Sequence, residues 1–269
     1  MRVLVISDME GVAGICRWEQ VTGGKPQFEE GRKLYTEEVN AAVRGARAGG
    51  ATEVVVMDCH GAGGDWSFNS LVPDLLDPGC EWVVQNEWTE YTAFLEQGCD
   101  AALLIAMHAM AGTRDGVLSH TVSGTGWRNL WFNGQVVGET GINAALCGHW
   151  GCPVVLVSGD RATCAEASAL LGSGLKAVEV KQGLGRYSAR HIPPTRARSL
   201  ISEAAEEAVA ASARVEPFVP ERPCEIKVEL ALSDGAERWT HREGVSTTDS
   251  RTVVSTGSDW WNAWRRLYL

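Results

Sequence analysis

Four short apolar runs, rich in β-branched residues, lie in the first 160 positions, and each stops at a side chain able to bind a cation or move a proton. Residues 3–6 run into Ser7-Asp8-Met9-Glu10-Gly11, and residues 54–57 into Asp58-Cys59-His60-Gly61. Residues 101–106 run into Met107-His108, and residues 154–157 into Ser158-Gly159-Asp160. The runs are continuous where a half-exposed strand would alternate, the pattern of strands covered on both faces. Between them lie stretches with helical spacing, at 29–48 (closed by Gly49 and Gly50), 88–97 and 140–150. This alternation predicts an α/β fold with a mostly parallel central sheet flanked by helices. In such sheets, sites form beyond the carboxyl ends of the strands, where these polar residues fall.

The pattern changes after residue 170. An Ala- and Glu-rich helix is predicted over 194–213, a Pro-rich connector over 216–223, and an alternating strand over 225–232. A short strand at Val253-Val254 precedes a helix carrying Trp260, Trp261 and Trp264, capped by Ser258 or Asp259. Asn133-Gly134 between apolar flanks predicts a type I′ hairpin over 130–137. The expected division is an α/β metal-binding catalytic domain over 1–172. A smaller C-terminal α+β subdomain over 173–269 is expected to make substrate or oligomer contacts.

Composition narrows the partners. A formal net charge of −10, with 24 scattered Lys and Arg, argues against nucleic acid. No segment approaches the 18 or so uninterrupted apolar residues of a membrane span, and the five-residue amino-terminal run is shorter than a signal-peptide core. The expectation is a cytoplasmic protein. Its eight cysteines contain no CxxC pair, so they read as free thiols. The GxSxG elbow, the HExxH helix, the Walker loop and a complete GxGxxG are absent.

Asp8 and Glu10 lie two apart beyond a strand, so their side chains point the same way in extended geometry. Two carboxylates so close repel unless a cation lies between them. Alone, such a pair is usually solvated or caps a helix. His60 and His108, each closing another strand, make a metal site the better reading, and imidazole with carboxylate suits zinc, with manganese or cobalt as substitutes. Glu139, opening a helix in Gly138-Glu139-Thr140-Gly141, has two readings: a carboxylate favoured by the helix dipole, or a further metal ligand. His120 lies in a Gly-, Ser- and Thr-rich loop, where an imidazole beside a metal can shuttle a proton or polarise a carbonyl. The glycines of His60-Gly61-Ala62-Gly63-Gly64 are expected to let that loop pass close to a metal. Most of the 11 tryptophans are expected in the core or at subunit contacts.

Taken together, these motifs resemble those of the M55 metallopeptidases, the D-aminopeptidase family. The resemblance rests on Ser7-Asp8-Met9-Glu10-Gly11, Thr36-Glu37-Glu38, Asp58-Cys59-His60, Met107-His108-Ala109, Gly116-Val117-Leu118-Ser119-His120, Asn133-Gly134 and Gly138-Glu139-Thr140-Gly141, in that order, with Val180-Lys181-Gln182 beyond. It is weakest in the final 50 residues. The resemblance implies two zinc ions per subunit. Asp8 would bridge them, with Glu10 and His60 completing one and His108 and Glu139 the other. It also implies His120 as catalytic nucleophile or base, and a ring-like homodecamer.

The expected function is a zinc-dependent aminopeptidase that removes N-terminal residues from short peptides, including D-residue peptides. A metal-dependent hydrolase of a non-peptide amide or ester uses the same ligands and differs only in substrate. A non-catalytic metal-carrying binding protein would have no use for His120.

Overall fold

A computed structural model describes residues 1–85 and 92–268 of the chain. Its first half runs β1 (Arg2–Ser7), α1 (Trp18–Val21), α2 (Phe28–Ala48), β2 (Glu53–Asp58), β3 (Glu81–Val83), α3 (Ala93–Glu96), β4 (Ala101–Met107), β5 (Trp127–Phe132) and β6 (Gln135–Val136). There follow α4 (Glu139–His149), β7 (Val154–Asp160), α5 (Arg161–Leu171), β8 (Lys176–Gly185), β9 (Ser188–His191) and α6 (Pro194–Ala210). The chain closes with β10 (Cys224–Leu230), β11 (Val245–Thr247), β12 (Thr252–Gly257) and α7 (Trp260–Tyr268).

Among the described residues, seven strands form one sheet in the order β3-β2-β1-β4-β7-β8-β9. It is parallel except at β9, which folds back antiparallel on β8. The mostly parallel sheet flanked by helices is the architecture expected from the apolar runs. Adjacent residues of β1 show why those runs are continuous. Val3 and Val5 pack into a layer with Val39 of α2 and Ile201 and Ala205 of α6, all fully buried. Leu4 and Ile6 pack the other way, towards Ala144 and Cys147 of α4 and the second sheet. Both faces are covered, so neither tolerates a polar residue.

The second sheet is antiparallel, in the order β11-β12-β10-β5-β6. The Asn133-Gly134 turn joins β5 to β6 with φ of 47° and 82°, the left-handed pair that a type I′ hairpin needs. Position 172 falls between α5 and β8, and strands of each sheet lie on both sides of it.

Some predicted elements differ from those observed. Residues 88–91 of the helix predicted over 88–97 lie outside the described residues, and the remainder contains the single short turn α3. The β8–β9 hairpin has no counterpart in the sequence reading. Its burial is patchy and its charges frequent, as suits strands at a sheet edge, so it lacks the apolar run that marks a central strand.

The topology fixes where a site can form. From β1 the chain steps to one side through β2 and β3, then returns to place β4 on the other side of β1. The loops leaving β1, β2 and β4 therefore gather at the switch point of the sheet, where sites of α/β folds form. Asp8 follows β1, His60 follows β2 and His108 follows β4.

Candidate metal centre

Backbone contacts hold the segment after β1 against β4. Asp8 N donates to Ile105 O at 2.9 Å, and Gly11 N to Ala106 O at 2.8 Å. A Cβ on Gly11 would lie 2.2 Å from Met107 O, so only glycine allows this approach. Ala106 takes a left-handed φ of 59°, and the register of β4 against β7 shifts between Leu104 and Met107. Such a kink re-aims the side chains that follow, here His108.

Three buried groups brace the loops from behind. Asp58 Oδ1 accepts from His60 N and from the Tyr35 hydroxyl, both at 2.9 Å, while its Oδ2 accepts from Ser70 N. Lys181 of β8 donates from Nζ to the carbonyls of Glu10, Val12 and Ile15 at 2.5, 2.8 and 2.8 Å. Burial pulls its ammonium down to about 8, against the attraction of Asp160, Glu38 and Glu10. Glu38 accepts from Ala13 N at 2.9 Å in the same loop, and burial pushes its carboxyl up to about 7.

The six residues singled out from the sequence converge in front of these braces. Asp8 lies between two imidazoles, with Oδ1 3.1 Å from His60 Nδ1 and Oδ2 3.2 Å from His108 Nε2. Glu10 Oε2 lies 3.1 Å from the same His60 nitrogen, and Glu139 Oε1 lies 3.3 Å from the same His108 nitrogen. His120 Nε2 stands 3.8 Å from Glu139 Oε1, and its ring stacks on His108 at 4.0 Å and 14°. Glu139 Oε1 also accepts from Val122 N at 2.7 Å, tying the first turn of α4 to the His120 loop.

Each imidazole commits one nitrogen to a backbone carbonyl. His60 Nε2 donates to Val21 O at 2.6 Å, His108 Nδ1 to Ala109 O at 3.0 Å, and His120 Nδ1 to Leu118 O at 3.0 Å. That anchoring orients the other nitrogen of each ring towards the carboxylates, as in histidines that ligate metals. Burial disfavours charge on Asp8, His60, His108 and Glu139, yet the attraction of their charged neighbours prevails. Burial pushes the Asp8 carboxyl up, but His108 and His60 outweigh it and hold it well below the usual range. Burial depresses both His60 and His108, but Glu10 and Asp8 raise the first, and Glu139 and Asp8 the second, well above the ordinary imidazole value. Glu139 is lowered by His108 and His120 against the effect of burial.

The cluster fits a cation. Glu10 Oε2 and His108 Nε2 are buried, and they meet only other ligand-type atoms of the cluster, at 3.1–3.3 Å, with none of these contacts aligned as a hydrogen bond. Buried polar atoms left in that state are costly. Ligand-type atoms of Asp8, Glu10 and His108 lie within 4.8 Å of one another, as do those of His108, His120 and Glu139. Mixed carboxylate and imidazole donors at this spacing suit zinc.

Above the cluster is a cavity of about 600 Å³ whose walls include Trp18, Asn143, Arg186, Tyr187, Trp260 and Trp264. Three tryptophans therefore face the cavity, and two of them, Trp260 and Trp264, also belong to the core. One expectation needs correction. Asp160, which ends β7 as the other site residues end their strands, caps α5 instead. Its Oδ1 accepts from Thr163 N at 2.8 Å and its Oδ2 from Val117 N at 2.6 Å. After His60, Gly61 lines the cavity, and Gly63 and Gly64 supply φ of 89° and 55° for a turn.

The sequence reading passed over Asp58, Lys181, Glu38 and Arg186 as contributors. Asp58 carried a signal, since a carboxylate two residues before a strand-end histidine can accept that histidine's N–H. The others act across long chain separations and leave no local pattern.

An α/β sheet whose switch-point crevice holds a buried carboxylate–imidazole cluster under a cavity defines a metal-dependent hydrolase. The chain belongs to the peptidase M55 family, described as D-aminopeptidase, whose model matches residues 1–269. It is 31% identical over 259 residues to a D-aminopeptidase of Bacillus subtilis (strain 168), covering 94% of this chain and 90% of the relative. A solved structure described as the Zn-dependent D-aminopeptidase DppA from Bacillus subtilis, a self-compartmentalizing protease, superposes with a TM-score of 0.90. It is 28% identical, with 100% of this chain and 96% of that chain covered.

Proposed function

We propose that this protein is a zinc-dependent D-aminopeptidase acting on short peptides. The observation that carries the reading is the buried cluster in which Glu10 Oε2 and His108 Nε2 meet only other carboxylate and imidazole atoms, beneath a cavity of about 600 Å³. Asp8, Glu10, His60, His108 and Glu139 would hold two zinc ions per subunit. Asp8 would be shared between them, since its two oxygens face different imidazoles. Zinc, when bound, supplies Lewis acidity that polarises a peptide carbonyl and acidifies water.

His120 is the proton-handling residue in this reading. Its Nδ1 is occupied by Leu118 O, and stacking on His108 fixes its ring, leaving Nε2 to accept or return a proton at the reacting bond. Preference for a free amino terminus would follow from its uncharged amine serving as one more donor to the zinc held by the carboxylates of the cavity floor. A cytoplasmic location and a ring-like homodecamer complete the proposal. The name of the structural relative, a self-compartmentalizing protease, supports an enclosed assembly. No helix among the described residues is long and apolar enough to cross a membrane.

Elemental analysis, paired with hydrolysis of D-Ala and L-Ala p-nitroanilides before and after chelation, tests the reading. About two zincs per chain with chelator-sensitive, D-preferring cleavage is the expected result. Bound metal without cleavage would move the function to another amide or to a binding role. A protein that binds no metal and ignores chelator and metal re-addition would refute the proposal.

A further inference from the structure

We propose that Arg186 is the carboxylate-binding residue of the cavity and selects short peptides by their free C-terminal carboxylate. The inference rests on the aminopeptidase reading and names the substrate class of that same site.

Arg186 is the only Lys or Arg among the described residues that line the cavity. It forms no ion pair with a described residue, and its Nε is buried without a hydrogen-bond partner. Its guanidinium lies over two aromatic rings, 5.6 Å from Trp18 and 5.7 Å from Tyr187. Attraction to the rings at this range uses the charge of the guanidinium and takes up none of its N–H groups in an ion pair. Those in-plane donors match the two oxygens of a carboxylate, and neighbouring rings reduce competition from water. An unpaired, partly desolvated cation of this shape is a receptor for an anion.

The position also agrees with the geometry of the reacting bond. Trp18 contacts both the Arg186 guanidinium, at 5.6 Å, and the His120 ring, edge-on at 5.6 Å. Leu118 fixes both residues: its N–H donates to Arg186 O at 2.9 Å, and its carbonyl accepts from His120 Nδ1 at 3.0 Å. The proton-handling imidazole and the guanidinium therefore share one indole neighbour and one backbone anchor. Extended peptide spans about 3.3–3.6 Å per residue, so the carboxylate of a di- or tripeptide cleaved beside His120 reaches Arg186. A longer chain would carry its terminal carboxylate past it.

The test compares kcat/KM for D-Ala-D-Ala, D-Ala-D-Ala amide and the α-amide of D-Ala-D-Glu, in the zinc-loaded wild type and in Arg186→Gln. The wild type is expected to favour the free acid over the amide by about 10- to 100-fold, the worth of a charge-assisted hydrogen-bonded pair, largely through KM. Arg186→Gln is expected to bring that ratio close to one. Arg186→Lys, which keeps the charge and loses the fork, should retain part of it and serves if the glutamine variant fails to fold. Equal cleavage of acid and amide by the wild type, or an unchanged preference in the variant, would overturn the inference while peptide cleavage still stands. Rate enhancement confined to the D-Glu amide would overturn the terminal-carboxylate assignment in favour of a side-chain one. Cleavage of none of the three would overturn the aminopeptidase reading and this inference together.

Discussion

At Asp8 the electrostatics and the geometry of the site meet. One carboxylate faces His60 with Oδ1 and His108 with Oδ2, while Met9 N donates to Oδ1 at 2.7 Å. Without metal the two imidazoles carry protons, because surrounding carboxylates raise both well above the ordinary value of 6.5 in spite of burial. Zinc must displace those protons, so binding releases protons near neutral pH and affinity climbs as pH rises. Calorimetry of zinc binding at pH 7 in buffers of differing ionisation enthalpy is expected to show net proton release. Metal uptake that is independent of buffer and pH would place the zinc elsewhere. The sign for stability is the opposite in the metal-free form. Imidazoles with raised folded values contribute stability that is complete below about 6.5 and is lost as pH climbs through those raised values. The chelated protein should therefore melt at lower temperature with rising pH across that range.

Between elements, β8 reaches under the loop that follows β1. The Lys181 ammonium serves three carbonyls of that loop, including that of Glu10, and is itself buried. Replacing it by methionine leaves those carbonyls without their donor and Glu38 and Asp160 without their nearby cation. Removing one member of a buried charged network typically costs about 3–5 kcal/mol. Lys181→Met is expected to lose that much in urea denaturation and to bind zinc more weakly, since the Glu10 backbone is no longer fixed. A variant with wild-type stability and full zinc content would show that the loop is held by β4 alone. The α4 terminus plays a comparable part, because Glu139 joins the helix to the His120 loop through Val122 N. A carboxylate favoured by the helix dipole and a carboxylate beside His108 are thus the same residue in the same place.

For the whole molecule, two sheets share one chain, and the cavity forms where their layers meet the switch point. Trp18 comes from the short helix after β1, Arg186 and Tyr187 from the β8–β9 turn, and Trp260 and Trp264 from the last helix. Leu184 near the end of β8 and Tyr187 on that turn are 65% and 56% exposed, and Leu232 is 64% exposed. Apolar side chains of this size in solvent suit contact with further copies of the chain. Light scattering after size exclusion is expected to give a mass near ten times 29.0 kDa, the mass of one chain. A monomer at micromolar concentration would rule out the ring assembly and leave the site chemistry intact.

Much of this protein was legible before any coordinates. The central sheet could be read because β1, β2, β4 and β7 are buried on both faces, and continuous apolar runs are the local record of that burial. Asp8, His60 and His108 could be read because parallel strands deliver whatever follows them to one edge, whereas Glu139 and His120 were assigned only through the family resemblance. The type I′ turn at Asn133-Gly134 could be read because few residues accept its backbone angles. Tertiary structure decided the rest. Asp160 resembles a ligand in sequence and caps a helix in space. Lys181 and Glu38 brace the loop after β1 from distant positions, and Arg186 faces the cavity from an edge hairpin without an apolar signature. These roles depend on which side chains meet across long separations, and a periodicity measured along the chain contains no information about that.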